Sequence, residues 1–151
     1  MSKYEINNNT LAVVGINDFK SMAIESDNNY IINDNSYQIM EDSCNYFGST
    51  FKGRIDGTKK MMNVNYKVPI IVEESNDIIF FPLSEIYNSN CVWISLKWFD
   101  RVVKENDNTY IYFKNGEKIS INVSKYVVEN QFFRSLKLSS ILNDRKNLKN
   151  I

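Results

Sequence analysis

Apolar positions along this chain change period several times, and each change predicts an element. The first forty residues carry short β-rich runs, "KYEI", "TLAVVGI", "SMAIES", "NYII" and "SYQIM". Asn7 to Asn9, Asp27 to Asn29 and Asn33 to Asn35 separate them. Asn and Asp bond nearby backbone and tolerate left-handed conformations, so the spacing predicts a meander or part of a barrel. Then the period lengthens. Asp42 is placed to cap a helix, and Cys44, Phe47, Phe51 and Ile55 follow at spacings of three and four, one helical stripe. Gly48, Gly53 and Gly57 interrupt it, each costing about 1 kcal/mol relative to Ala in a helix interior. Either the helix breaks there, or the glycines admit a close approach by something else.

"KVPIIVEESNDIIFFPL" follows, with two apolar runs around a polar Glu73–Asp77 turn. It predicts a β-hairpin bounded by Pro69 and Pro82, since proline avoids central ladder positions. "CVWISL" and "FDRVV" continue as strands. In "TYIYFKNGEKISINV", Asn115-Gly116 sits between alternating runs and marks a hairpin, both residues accepting positive φ. A two-residue loop sets Tyr110 and Tyr112 beside Ile119 and Ile121. A bulged three-residue loop sets Ile111 and Phe113 there instead, giving the cleaner apolar face that favours this register. Last, Ser124 is placed to cap an amphipathic helix. Val128, Phe132, Leu136 and Leu142 fall near one face, widened by Phe133 and Ile141, with Arg134, Lys137, Arg145 and Lys146 elsewhere. The fold class expected is α+β: mainly antiparallel β-sheet, a central Gly-interrupted helix and a C-terminal amphipathic helix, in a single domain over residues 1–151.

Composition fits a packed protein: 151 residues, 43% hydrophobic and 13% aromatic. The wealth of Asn, Ile, Lys and Tyr reflects A/T-rich codons before it reflects function. Net charge is zero, but it is unevenly spread. Residues 1–51 hold two cations and seven anions, 52–113 eight of each, and 114–151 eight cations and three anions. A basic end suits nucleic acid or a membrane surface, and equally a solvated helix face. No run approaches the roughly 20 apolar residues of a membrane span, and the N-terminus has no apolar signal core. A cytoplasmic protein with reduced thiols is therefore expected, without a membrane partner.

Much chemistry is excluded. There is no histidine, which removes Ser-His-Asp and Cys-His nucleophilic sites and His-ligated zinc. Cys44 and Cys91 make no zinc set and sit in apolar patterns that suit core packing. Glu41-Asp42 and Glu73-Glu74 fall at an element start and a turn, where solvated carboxylates need no catalytic explanation. No catalytic residue, metal or cofactor is expected, and the chain is not read as an enzyme.

The richest candidate is "YFGSTFKGRIDGTKK", residues 46–60. It is not a P-loop. After Gly48 and four residues comes Gly53-Arg54-Ile55, with arginine for the lysine and isoleucine for the magnesium-binding hydroxyl. What remains is a Gly-rich basic segment: Ser49, Thr50, Lys52, Arg54, Lys59 and Lys60. Glycine lets main-chain N–H groups approach phosphates, hydroxyls add donors, and arginine binds bidentately or enters a narrow minor groove. A glycine-rich turn packed on a sheet beside solvated lysines is the plainer alternative.

The stretch "SCNYFGSTFKGRIDGT", Ser43 to Thr58, resembles the competence transcription factors of low-GC Gram-positive bacteria, the ComK family. The family shares Ser-Cys, an aromatic-Gly-Ser, then Gly-Arg and Gly-Thr. Similarity continues through "PIIVEESNDIIFFP", "NCVWIS", the Asn-Gly hairpin and "ENQFFRS", roughly residues 35–140. The resemblance implies a DNA-binding activator of DNA-uptake genes. Such a protein recognises paired A·T-rich double-stranded promoter boxes largely through the minor groove and acts as a homodimer or higher homo-oligomer; whether activation involves contact with RNA polymerase the sequence leaves open. On that basis Arg54 would reach the groove, and Lys52, Ser49, Thr50, Lys59 and Lys60 would hold phosphates. Asn45 would meet a base edge, and Arg134 and Lys137 would complete a backbone clamp. Phe132, Phe133 and Leu136 either line the core together or divide between the core and a partner subunit. Longer relatives carry a tail used in recognition by regulated proteolysis. This sequence ends at Ile151, so the resemblance does not carry over a Clp-type protease adaptor as a partner. It leaves a second expectation, a truncated interaction or titration module that activates nothing.

Overall fold

In the computed structural model, which describes residues 4–149, the Asn-rich breaks of the N-terminal region do become turns. Asn7 to Asn9 leads into β1 (Thr10–Asn17), the break beginning at Asp27 lies between β2 (Lys20–Glu25) and β3 (Asn29–Ile32), and Asn33 to Asn35 follows β3, while the β1–β2 turn falls at Asp18-Phe19, outside those breaks. Two helices follow, α1 (Ser36–Tyr46) and α2 (Phe51–Met62). Then come β4 (Ile70–Glu73), β5 (Ile78–Pro82), β6 (Val92–Ser95), β7 (Phe99–Glu105), β8 (Asn108–Phe113), β9 (Lys118–Ile121) and α3 (Lys125–Lys149). The expected α+β class holds.

The strands form two antiparallel sheets, one of order β3-β2-β1-β6-β5-β4 and one of order β7-β8-β9. Strand β5 of the six-stranded sheet is buried on both faces, which is why it reads as an unbroken apolar run, "IIFFP", rather than an alternation. One face packs Val13, Ile70, Val72, Ile78, Phe80 and Trp93 against Ile39, Met40 and Cys44 of α1 and Phe51 and Ile55 of α2. The other packs Leu11, Ile24, Phe81 and Ile94 against Phe99, Val102, Ile111, Phe113 and Ile121 of the smaller sheet and Val128 of α3. At the β4 edge the layers meet: Ile71 and Ile79 lie with Met62 of α2 and Leu138 and Leu142 of α3.

Several expectations are corrected. "SYQIM" is not a strand but the first turns of α1. Five residues fit either period, and the deciding signal is the cap: Asn35, not Asp42, accepts the Gln38 amide at 2.9 Å. Asp42 lies inside the helix and accepts a hydrogen bond from the Gln38 side chain. Residues 4–6 of "KYEI" form no strand, and Lys3 lies outside the described residues. The Ile6 amide goes to the Ser43 hydroxyl, 3.0 Å away, rather than to a ladder. The Gly-interrupted helix is two helices. Gly48, at φ +84°, takes the left-handed conformation that stops the first.

The β8–β9 hairpin adopts the three-residue register. Ile111 faces Ile119, and the Phe113 amide donates to Glu117 O at 2.8 Å. Within the loop only Gly116 has a positive φ, +92°; Asn115 does not. On α3 the buried face is Val128, Gln131, Ser135, Leu138 and Leu142. Phe133 and Leu136 were expected on it, yet they are 59% and 43% exposed. Two polar residues take their places because they are satisfied locally. Gln131 donates to Lys67 O and Pro82 O, and the Ser135 hydroxyl donates to Gln131 O.

Cys44 and Cys91 are free and buried. Burial pushes the Cys44 thiol up to about 12, against the lowering pull of the Arg54 guanidinium, and raises Cys91 as well. Neither is a thiolate nucleophile at neutral pH. Among the described residues no helix is long and apolar enough to cross a membrane, and no group of His, Cys, Asp and Glu is placed to hold a metal ion.

Candidate nucleic-acid interface

The Gly-rich basic segment folds as a capped helix. Thr50 is its N-cap, its hydroxyl accepting the Gly53 amide at 2.9 Å. The last turn carries Lys59 and Lys60, where cations suit the negative end of the helix dipole. Phe51, Ile55, Thr58 and Met62 are buried. At 100° per residue, Gly53, Gly57 and Lys60 therefore point away from the protein.

The glycines separate by cause. Gly48 is needed for the left-handed stop. At Gly53 a methyl group would approach the capping hydroxyl of Thr50 to 2.9 Å, so the cap explains it. Gly57 has no such reason: nothing lies within 4 Å of where its Cβ would be. An interior, outward glycine that packing does not require costs the helix about 1 kcal/mol. Its effect is to leave a flat place beside Lys60.

Contacts along α2 and α3 fix their relative direction. At one end Arg54 of α2 and Lys146 of α3 both reach Glu74, by an ion pair of 2.9 Å and a bond to Glu74 O of 2.6 Å. In the middle Met61 and Met62 pack with Ile141, Leu138 and Leu142. At the other end Arg134 reaches Tyr66 O, just beyond α2, at 2.7 Å. The helices thus run antiparallel across the β4 edge. Helical spacing puts Arg134, Lys137 and Arg145 on the same side of α3 as Ile141, the side turned towards α2.

The expected site residues therefore meet, though not as one loop. Lys60, exposed on the outward face of α2, and Arg134 and Lys137 on the neighbouring α3 form one strip of surface cations, joined by Arg145, for which no role was expected. None of the four has a carboxylate partner among the described residues, although Asp144 adjoins Arg145 in sequence. From Arg134 to Arg145 eleven rises of 1.5 Å make the strip about 17 Å long, roughly five base pairs of duplex.

The other expected residues stand differently. Lys52 is exposed and paired with Asp56 at 2.6 Å; its hydrogen bond holds the Asp56 carboxyl low, with Lys59 and Lys60 adding to the effect. An exposed i,i+4 pair of this kind is worth little and exchanges readily. Lys59 is half-buried, Asn45 and Thr50 are exposed, and Ser49 is half-buried in the link between α1 and α2. Arg54 departs most from expectation. Its side chain is 19% exposed, tied to Glu74, with Nε buried and unpartnered. In this conformation it braces α2 against the β4–β5 turn instead of projecting into solvent. Its partner lies twenty positions away, beyond the reach of any local pattern.

The family described as ComK protein matches residues 1–147. The "Competence transcription factor" of Bacillus subtilis (strain 168) is 35% identical over 151 residues, covering 96% of this chain and 78% of that protein. No solved structure matches. Across nearly its whole length, then, the chain belongs to the ComK protein family.

Proposed function

We propose that this protein is a competence transcription regulator that binds A·T-rich promoter DNA, largely through the minor groove, and activates DNA-uptake genes. It would act in the cytoplasm, on the nucleoid, and carry out no catalysis. Family membership supports the regulatory role. The observation that carries DNA contact is the antiparallel α2–α3 strip, with Lys60 on one helix and Arg134, Lys137 and Arg145 on the other. Packed helices lie about 8–10 Å apart, a span comparable to the phosphate walls of a minor groove about 6 Å wide. Cations carried on both helices suit phosphates on both strands. Narrow A·T-rich grooves concentrate negative potential, so groove shape supplies selectivity where base edges are nearly degenerate.

Within this scheme Lys52, Lys59, Ser49 and Thr50 flank the strip as phosphate contacts, and Asn45 lies beyond them. Arg54 reaches a groove only by exchanging Glu74 for DNA. A homodimer or higher homo-oligomer is part of the proposal. Phe133 and Leu136 expose apolar surface on the side of α3 away from its core, and a second copy would cover them.

Gly57 tests the proposal cleanly. Gly57→Ala should stabilise the fold by about 1 kcal/mol, since helix propensity improves and the methyl meets nothing. That corresponds to about 2–4 °C in Tm. The same methyl should weaken binding to an A·T-box duplex by holding the backbone off. Higher Tm with unchanged affinity would remove α2 from the interface.

A further inference from the structure

We propose that the turn at Tyr66 and Lys67, clamped onto α3, is a subsite for one sugar–phosphate unit of nucleic-acid backbone. This presupposes the duplex binding proposed above and extends its contact surface beyond the two helices.

The turn is held in an uncommon shape. After α2, Asn63 at φ +56° and then Lys67 at φ +50° both take the left-handed conformation. For lysine that conformation is sterically unfavourable and persists only where the surroundings enforce it. Here α3 enforces it. Arg134 donates to Tyr66 O at 2.7 Å, and Gln131, itself 3% exposed, donates to Lys67 O at 2.8 Å and Pro82 O at 2.7 Å. Two consecutive carbonyls are pinned, so the two side chains are presented rather than left to wander.

What is presented suits a backbone unit. Tyr66 is 61% exposed, and Lys67 Nζ stands 5.5 Å from its ring centroid. Beside them lies a cleft of about 170 Å³ lined by Tyr66, Lys67, Val127, Asn130, Gln131 and Arg134. That is well below the roughly 300 Å³ at which pockets for whole small molecules begin. The lining contains two cations and two amides but no carboxylate. Lys67, Asn130 and the remaining N–H groups of Arg134 can donate to a phosphate. The Tyr66 ring and Val127 offer an apolar wall to the adjoining sugar. Arg134 belongs also to the α2–α3 strip, so a strand leaving the strip passes directly into this cleft. That continuity favours a nucleic-acid backbone over a free phosphate or an acidic peptide.

The test uses the full chain, an A·T-box duplex and its G·C-substituted control, titrated at several salt concentrations. Lys67→Asn deletes the charge while keeping a residue that tolerates the left-handed turn; Tyr66→Ala deletes the ring. Each should weaken both duplexes equally, by about fivefold to tenfold. Lys67→Asn should also lower the log–log salt slope by about 0.9, with Tm unchanged. If both variants match the parent while Lys60→Gln loses slope, the subsite is wrong and duplex binding stands. Loss confined to the A·T box would overturn a backbone role. A parent protein with no salt-dependent binding to either duplex would remove the subsite together with the function it rests on.

Discussion

The double variant Lys60→Glu/Lys137→Glu is expected to lose about 100-fold or more in affinity for an A·T-box duplex at 0.1 M salt, while its Tm stays unchanged. Neither lysine has a carboxylate partner among the described residues. Each is exposed, so reversal should cost little stability. They sit on different helices with no shared partner, so their effects should add. A loss of about tenfold at each is about 1.4 kcal/mol, within the range for a single good DNA contact. A matched control separates a local interface from net charge. Lys104→Glu/Lys118→Glu makes the same change on the β7–β9 sheet, which covers the opposite face of the main sheet from α2. Fluorescence anisotropy on both proteins decides. Equal losses would mean that only total charge matters and that the α2–α3 strip is not the contact surface.

Phe51→Ala should cost about 3–5 kcal/mol, the range for deleting a fully buried aromatic ring. Phe51 is 1% exposed and meets Tyr37, Tyr87 and Trp93 edge-on, at centroid distances of 5.1, 5.9 and 6.0 Å. It is also the first residue of α2. The ring therefore seats the helix that carries Gly57 and Lys60. Against a typical total of about 5–15 kcal/mol, the loss should appear as a Tm drop of about 10 °C or more. Tyr46→Ala is the contrast: 67% exposed, its ring meeting only Phe47 in the contacts observed, it should fall within about 0.5 kcal/mol of the parent. Chemical denaturation of both tests whether Phe51 anchors the site-bearing helix. Similar midpoints would show that it does not.

What the sequence revealed follows from how local each cause is. Strands β1, β2, β4, β5, β8 and β9 were legible because their turns carry Asn, Asp or Gly at the required places, and one apolar face fixes the β8–β9 register. The 36–40 segment was misread because five residues cannot distinguish period two from period 3.6, while the deciding Asn35 cap looked like another turn breaker. The buried stripe of α3 was misplaced for a different reason. Gln131 and Ser135 are buried only because carbonyls of Lys67, Pro82 and Gln131 receive them, and two of those belong to distant segments.

The same limit shaped the site. Charge and glycine content singled out residues 46–60 and the basic end, but nothing local showed that they meet across the β4 edge. Nor could spacing separate Gly53, explained by its cap, from Gly57, which packing leaves unexplained. Arg54 looked like the strongest reader because its partner, Glu74, is remote in sequence. Arg145 looked like one more solvated helix cation until Ile141 placed its side of α3 towards α2.

Titration of an A·T-box duplex against its G·C-substituted control, at two salt concentrations and with a minor-groove-binding competitor, tests the central claim most directly. Four cations on the strip predict tighter binding to the A·T box, displacement by the competitor, and a contribution of about −3.6 per protomer to the log–log salt slope. Equal affinity for both duplexes, indifference to the competitor, or a slope near zero would contradict it.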